Sequence, residues 1–311
     1  MVPAERENID LRRHLRENGI NQKLRGLICE IAESTKYVIN AVMTGDLGLA
    51  GTSNLYGEEQ LALDILSDRI ITEKLEKSGL VSCMASEEKD IVEEVDDAYK
   101  GDFSVAFDPL DGSSLIDVNL AVGSIFSIYK GHSVMVGGRK QIAAMFVVYG
   151  PRTSLIYSAG NGVHEFSLNH LGDFTLTREN IQMKDLGKLY SPGGLRSKYL
   201  PKHRAYIEHL EKIGHKLRYS GGLVPDINQI LLKGEGIFMY PALVGAPNGK
   251  LRLLFELYPM AYLIEQAGGS ASNGCIDLLD VKIEDIDQRA PIYIGCKNDV
   301  AKALDYLNGC E

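Results

Sequence analysis

The chain of 311 residues reads as a layered α/β protein, α+β in its arrangement, with helices and sheets alternating through two lobes. Three observations carry this reading. Helical periodicity dominates the first eighty or so residues, β-rich runs fill residues 124–177, and the remainder alternates helix and strand. At roughly 150 residues per domain the length suits two lobes. The change of pattern near 180–195 puts their boundary at residue 190, giving an N-terminal lobe of residues 1–190 and a C-terminal lobe of residues 191–311.

Leu24, Leu27, Ile28, Ile31, Val38 and Val42 recur at helical spacing and predict an amphipathic helix over about residues 22–43, stopped by Gly45 and Gly48. A glycine-rich loop over residues 45–53 leads to a second helix at residues 58–77, which Gly79 ends. Short strands follow at 80–84 and 103–107, the second expected to stop at Asp108-Pro109. Runs at 125–129, 142–149, 154–158, 163–168 and 174–177, separated by turn residues, read as an antiparallel meander. In the second half, helices are expected at 200–213, 226–232, 259–267 and 299–307, with strands at 216–219, 236–240 and 292–294.

Apolar residues make up 45% and charged residues 24%, enough for a sizeable core. The longest apolar run, residues 142–149, is far short of a membrane span, and the charged start of the chain does not resemble a secretory signal. The five cysteines form no C-x-x-C pair and read as reduced structural thiols of a cytoplasmic protein. A net charge of −9 argues against nucleic acid as a partner. The chain lacks H-E-x-x-H, G-x-S-x-G, a Walker A loop and a G-x-G-x-x-G after a strand, which removes the usual evidence for metalloproteases, α/β-hydrolases, P-loop NTPases and dinucleotide enzymes.

The chemistry concentrates in acidic residues. In Phe107-Asp108-Pro109-Leu110-Asp111-Gly112-Ser113-Ser114, two carboxylates end an apolar strand and a turn follows, whose backbone N–H groups could cradle an anion. Taken alone, the segment also reads as a strand–turn–helix corner with Asp111 as a cap. Ser86-Glu87-Glu88 follows another strand, and adjacent glutamates there read either as a solvated loop or as ligands. Asp64 lies among apolar neighbours in the second helix, and Glu256 ends an apolar run just before a helix, where an acid also suits the helix dipole. Carboxylates that converge repel by roughly 4 kcal/mol per pair at about 4 Å and an effective dielectric of 20. They must protonate or bind cations, and hard oxygen ligands suit Mg²⁺ or Mn²⁺. Bound cations would let a protein of charge −9 accept a phosphate anion.

Ser86-Glu87-Glu88, the 107–114 block, Lys250-Leu251-Arg252-Leu253-Leu254-Phe255-Glu256 and Gly268-Gly269 resemble the class 1 fructose-1,6-bisphosphatases, in the same order along about residues 24–300. That family belongs to the lithium-sensitive, Mg²⁺-dependent phosphatases that include inositol monophosphatase. Residues 101–106, 191–196, 217–222 and 224–226 are also similar to sedoheptulose-1,7-bisphosphatase. The resemblance implies a sugar-phosphatase fold and hydrolysis of the 1-phosphate of fructose 1,6-bisphosphate, with the sedoheptulose bisphosphate as the nearest alternative substrate. It implies more than one Mg²⁺ or Mn²⁺ per subunit, held by Glu87, Glu88, Asp108, the Leu110 carbonyl, Asp111 and Glu256. Asp64 and Glu88 would orient and deprotonate the attacking water. Gly112, Ser113 and Ser114 would hold the reacting phosphoryl group, with Asp111 and Arg252 nearby. Tyr219, Tyr240 and Lys250 would contact the sugar and distal phosphate, and Arg218 would reach a neighbouring subunit's site in a homotetramer. The Lys250, Arg252, Tyr219 and Tyr240 set argues against an inositol-phosphate-type monophosphatase.

The pattern departs from the family at two places. Gly193, Gly194, Leu195 and Arg196 stand where the fructose enzymes often carry an Asn and a Tyr for the distal phosphate. Asn21-Gln22-Lys23-Leu24 and Asp102-Phe103 stand where the animal enzymes bind AMP, so inhibition through an animal-type AMP pocket is expected to be weak or absent.

Overall fold

A computed structural model describes residues 9–44, 49–53 and 59–308. Helix α1 (Leu11–Glu17) is capped by Asp10, whose carboxylate accepts from the Arg13 N–H at 2.7 Å. Helix α2 (Gln22–Thr44) covers the predicted helix and buries Leu24, Leu27, Ile28, Ile31 and Val38 along one stripe. Residues 45–48 of the glycine-rich loop lie outside the described residues, and 49–53 form strand β1 (Leu49–Ser53), antiparallel to β2 (Glu59–Leu61). Helix α3 (Ala62–Lys77) starts later than periodicity suggested, because residues 59–61 pair as that strand.

The central sheet has eight strands: β3 (Val81–Ser86), β4 (Glu93–Glu94), β5 (Phe103–Asp111), β6 (Val122–Lys130), β7 (Gln141–Tyr149), β8 (Thr153–Ser158), β9 (His164–Leu168) and β10 (Phe174–Arg178). Strands β6 to β10 form the expected antiparallel meander, which β5 extends by pairing antiparallel with β6, while β3 runs parallel to β5. Helices α1, α2 and α3 pack one face of this sheet through Leu27, Ile31, Leu63, Ile71, Phe107 and Phe126. The other face meets a second sheet and its helices through Ile125, Phe146, Val224, Ile227, Phe255 and Ile264.

That second sheet contains β11 (Leu189–Pro192), β12 (Lys216–Leu217), β13 (Ile237–Tyr240), β14 (Ser270–Ser272) and β15 (Ile292–Gly295), in the order β12-β11-β13-β15-β14. Its helices are α4 (Pro201–Lys212), α5 (Leu223–Lys233), α6 (Tyr258–Gln266) and α7 (Lys297–Asn308). The alternation of layers is therefore α, β, α, β, α, as the sequence pattern predicts. Strands β4, β11 and β14 and helix α1 were not anticipated, since each is short and without a clear period. No helix among the described residues is long and apolar enough to cross a membrane.

One expectation is corrected. Strand β5 does not stop before Pro109 but continues to Asp111. The register steps from Asp108 opposite Ile125 to Asp111 opposite Gly123, three residues against two, which is a β-bulge. Proline is tolerated there because a bulge needs no ladder donor at that position. The bulge has its own bonds: the Leu110 N–H donates to Asp108 Oδ1 at 2.9 Å, and the Ser124 hydroxyl donates to the Pro109 carbonyl at 2.6 Å.

Opposite the bulge, Gly123 lets α5 approach. A Cβ at Gly123 would lie 2.4 Å from Val224 Cγ1 and 2.5 Å from the Val147 carbonyl oxygen. The same approach lets the Val224 N–H donate to Asp111 Oδ2 at 2.7 Å. Gly123→Ala is expected to lower stability by about 1–3 kcal/mol through overpacking. Urea unfolding checks this, and a change below about 0.5 kcal/mol contradicts it.

Candidate active site

The parallel pairing of β3 and β5 brings two acidic segments to one sheet end. Ser86 pairs with Phe107, and the Glu87 N–H donates to the Phe107 carbonyl at 3.0 Å. Glu87-Glu88 therefore leaves the sheet beside Asp108, the convergence common at the carboxyl ends of parallel strands. The β5 bulge adds Asp111. A one-turn π-helix, Leu253–Leu257, runs directly into α6 with all five residues buried, and it adds Glu256. Such turns in helices frequently mark functional sites.

Asp108, Asp111 and Glu256 are all buried, and one carboxylate oxygen from each lies within 4.8 Å of the others. Burial pushes the Asp108 and Glu256 carboxyls well above the usual carboxylate range, with Glu87 and Asp111 as the next contributors at both. Burial also pushes Asp111 up, to about 7, against the opposing bond from Val224. Such a cluster needs protons or cations to offset its charge. Oxygen donors alone, closely spaced and strained by mutual repulsion, fit a hard divalent cation.

These carboxylates line one wall of a cavity of about 320 Å³. Asp64, from the first turn of α3, accepts from the Ser113 hydroxyl at 3.2 Å across this cavity. Glu87, Glu88 and Leu110 share the acidic wall, and Gly112, Ser113 and Ser114 follow it. Gly112 takes a left-handed conformation (φ 78°) that turns the chain from β5 into a 3₁₀ turn at Ser113–Val118. Tyr219, Tyr240 and Lys250 line the remainder.

Two predicted residues sit elsewhere. Arg252 is buried behind the acidic wall, outside the cavity lining, with its guanidinium on Glu87 and Asp287. Arg218 is exposed, donates to the Leu217 carbonyl at 2.7 Å, and does not line the cavity of its own chain. Arg196 pairs with Glu211 at 2.6 Å on the exposed surface. Lys23 and Asp102, from the two segments that replace the animal AMP contacts, pair with each other at 2.5 Å.

Arg289 was missed. It lines the cavity and donates to the Lys250 carbonyl at 2.6 Å. It belongs to no short motif, so only its position in space identifies it. Phe238 also lines the cavity without a prior signal, and Gly221 and Gly222 line it from the 217–222 segment singled out above.

A layered fold that gathers buried carboxylates beside a polar cavity is the arrangement of a candidate cation-binding active site. Family models for the fructose-1,6-bisphosphatase N-terminal domain and C-terminal domain match residues 7–179 and 183–308. A class 1 fructose-1,6-bisphosphatase from Trichlorobacter lovleyi is 66% identical over 96% of this chain and 95% of its own length. One from Trichormus variabilis is 40% identical over 92% of this chain and 87% of its own. The holo-form crystal structure of Leishmania major fructose-1,6-bisphosphatase superposes with a TM-score of 0.93 at 31% identity, covering 97% of this chain and 99% of that one. A putative sedoheptulose-1,7-bisphosphatase from Toxoplasma gondii superposes with a TM-score of 0.89 at 33% identity, covering 96% and 98%. The chain belongs to the class 1 fructose-1,6-bisphosphatase family.

The raised carboxyls give a pH prediction. A folded-state pKa above the unfolded value contributes stability at low pH that is lost as pH rises through the folded value, about 7 for Asp111. The metal-free protein should therefore lose stability between ~pH 6 and ~pH 8.5, and Mg²⁺ should raise Tm more at the higher pH, where the ligands are already deprotonated. Scanning calorimetry at both pH values checks this. An equal or larger Mg²⁺ effect at ~pH 6 contradicts it.

Proposed function

We propose that this protein is a phosphoric monoester hydrolase that removes the 1-phosphate of fructose 1,6-bisphosphate, giving fructose 6-phosphate and phosphate for gluconeogenesis and sugar-phosphate metabolism. The observation that carries the reading is the buried cluster of Asp108, Asp111 and Glu256 on one wall of a cavity that also presents Lys250, Tyr219 and Tyr240. One part suits cations and a reacting phosphate. The other suits a sugar and a second phosphate.

In this reading, Glu87, Glu88, Asp108, Asp111, Glu256 and the Leu110 carbonyl hold more than one Mg²⁺, or Mn²⁺ in its place. Bound there, the cations would neutralise phosphate charge and lower the pKa of a water nucleophile, the two things a slow monoester hydrolysis needs. Asp64 and Glu88 orient that water and take its proton. The Ser113 hydroxyl on Asp64 fixes the carboxylate at the turn where the phosphoryl group lies. Backbone N–H groups of Gly112, Ser113 and Ser114 hold phosphoryl oxygens, and Asp111 keeps that turn in register through its bond from Val224. Arg252 acts on this region from behind Glu87.

The distal phosphate lies at Lys250, Tyr219 and Tyr240, completed by Arg218 of a neighbouring subunit in a homotetramer. Exposure of Arg218, with Leu217 and Tyr219 beside it 53% and 44% exposed, supports that arrangement. The division of the chain into lobes at residue 190 and a cytoplasmic location belong to the same reading. Sedoheptulose 1,7-bisphosphate is the second substrate of this reading, supported by the likeness to the Toxoplasma gondii structure. A Cβ at Gly193 would lie 2.3 Å from the Tyr240 ring, so glycine lets that ring seat against the end of β11.

Phosphate release from both bisphosphates, with Mg²⁺ and with excess chelator, tests the activity. Asp108→Asn is expected to abolish turnover on either substrate while the protein stays folded, because one fewer acid relieves repulsion. Turnover in chelator, or in Asp108→Asn, contradicts the mechanism. Arg218→Ala is expected to raise KM about tenfold, the size of a lost charge-assisted contact, with a smaller effect on kcat. Steady-state kinetics with an unchanged KM contradict the shared distal site.

A further inference from the structure

We propose that Asp287 is a positioning residue for the metal centre: it holds the Arg252 guanidinium as a brace behind Glu87 and shares its charge, so that the Glu87 carboxylate stays available to cations. The proposal rests on the reading above that Glu87 and Glu256 are metal ligands.

The Arg252 side chain is only 4% exposed, and a buried guanidinium requires hydrogen-bonded counter-charge. Its Nη1 donates to Asp287 Oδ1 at 2.9 Å and to the Glu87 backbone carbonyl at 2.9 Å. Its Nε lies 3.3 Å from Glu87 Oε1. Its backbone N–H donates to the Glu256 carboxylate. One arginine thus touches two of the acids that converge on the cavity, and Asp287 is the acid on its far side. Asp287 does not line the cavity, and its side chain is 10% exposed.

The loop that carries Asp287 is fixed against the strip that carries Arg252. The Leu253 N–H donates to the Gln288 carbonyl at 2.7 Å, and the Ala290 N–H donates to the Leu251 carbonyl at 3.2 Å. The Gln288 side chain closes the loop, accepting from the Glu284 N–H at 2.7 Å and donating to the Lys282 carbonyl at 2.9 Å. Asp287 is therefore placed by backbone pairing, and Arg252 follows it.

Charge sets the direction of the effect. With the Asp287 carboxylate beside it, the guanidinium shares its charge between two carboxylates. Without that charge, Arg252 is a less compensated cation against Glu87, and cations must compete with it for the carboxylate. The removed negative charge also no longer offsets divalent cations nearby. Both effects weaken metal binding.

The test is Mn²⁺ binding to the full-length metal-free protein, read from the free-ion signal in electron paramagnetic resonance, with no substrate present. Asp287→Asn keeps an oxygen acceptor and removes the charge. It is expected to weaken Mn²⁺ binding by roughly 10-fold, the lower end of the loss on removing outer-shell partners of metal ligands, because Asp287 acts on Glu87 through Arg252. Kcat should recover at saturating metal, because the reacting groups are intact. Asp287→Glu keeps the charge and should bind Mn²⁺ within about threefold of the parent, an effect well below that of losing the partner. Parent-like affinity in folded Asp287→Asn overturns the proposal, as does an equal loss in Asp287→Glu. Glu87→Gln separates the two levels. If it binds Mn²⁺ like the parent, the metal-ligand reading itself fails. If it loses Mn²⁺ while Asp287→Asn does not, only the role of Asp287 fails.

Discussion

Mutual repulsion among buried carboxylates is the constraint around which the rest of this structure is arranged. Asp108, Asp111 and Glu256 offer oxygens within 4.8 Å of one another and are almost wholly buried on the cavity wall. At an effective dielectric of 20 each charged pair at this spacing would cost roughly 3–4 kcal/mol, before any penalty for leaving water. A folded protein tolerates such a cluster only with protons or cations in it. The upward shift of all three carboxyls is the proton solution, and in the function proposed above divalent cations take the place of those protons.

Much of the surrounding architecture delivers those acids and keeps them apart from solvent. Parallel pairing of β3 with β5 aligns the Glu87 and Asp108 strand ends. The bulge at Pro109 sets Asp108 and Asp111 on a distorted strand end that Ser124 and Leu110 hold in shape. Helix α5 comes close at Gly123 and donates a backbone N–H to Asp111. The π-turn before α6 and the Arg252 brace position Glu256 and Glu87. A fold that spends this much geometry on destabilising charges is one in which local rules yield to function.

Legibility in the sequence followed physical range. The meander from β6 to β10 was readable because β-rich apolar runs and the turn residues between them are local signals. Helix α2 was readable from its stripe of Leu24, Leu27, Ile28 and Ile31. The acids of the site were visible because each interrupts an apolar run, and an interrupted run marks a position where packing is not the purpose. Pro109 misled, since its usual effect is to end a strand, and only pairing with β6 shows the bulge that accommodates it. Strands β11 and β14 have four and three residues, too few for a period, and form because neighbours complete their sheet. Arg289 and Asp287 reach the site by tertiary packing of a loop against residues 250–253, a relation that no spacing in the chain records.

The most direct test of the account is a count of the protons that leave when metal arrives. Metal-free protein near pH 7 is titrated with Mg²⁺ by calorimetry in buffers of different ionisation enthalpy. Because the cluster holds protons in the absence of cations, binding should release about one proton or more per chain, and the observed heat should vary with the buffer. Saturable Mg²⁺ binding with a heat independent of buffer would mean that the carboxylates were already ionised, and would contradict the account.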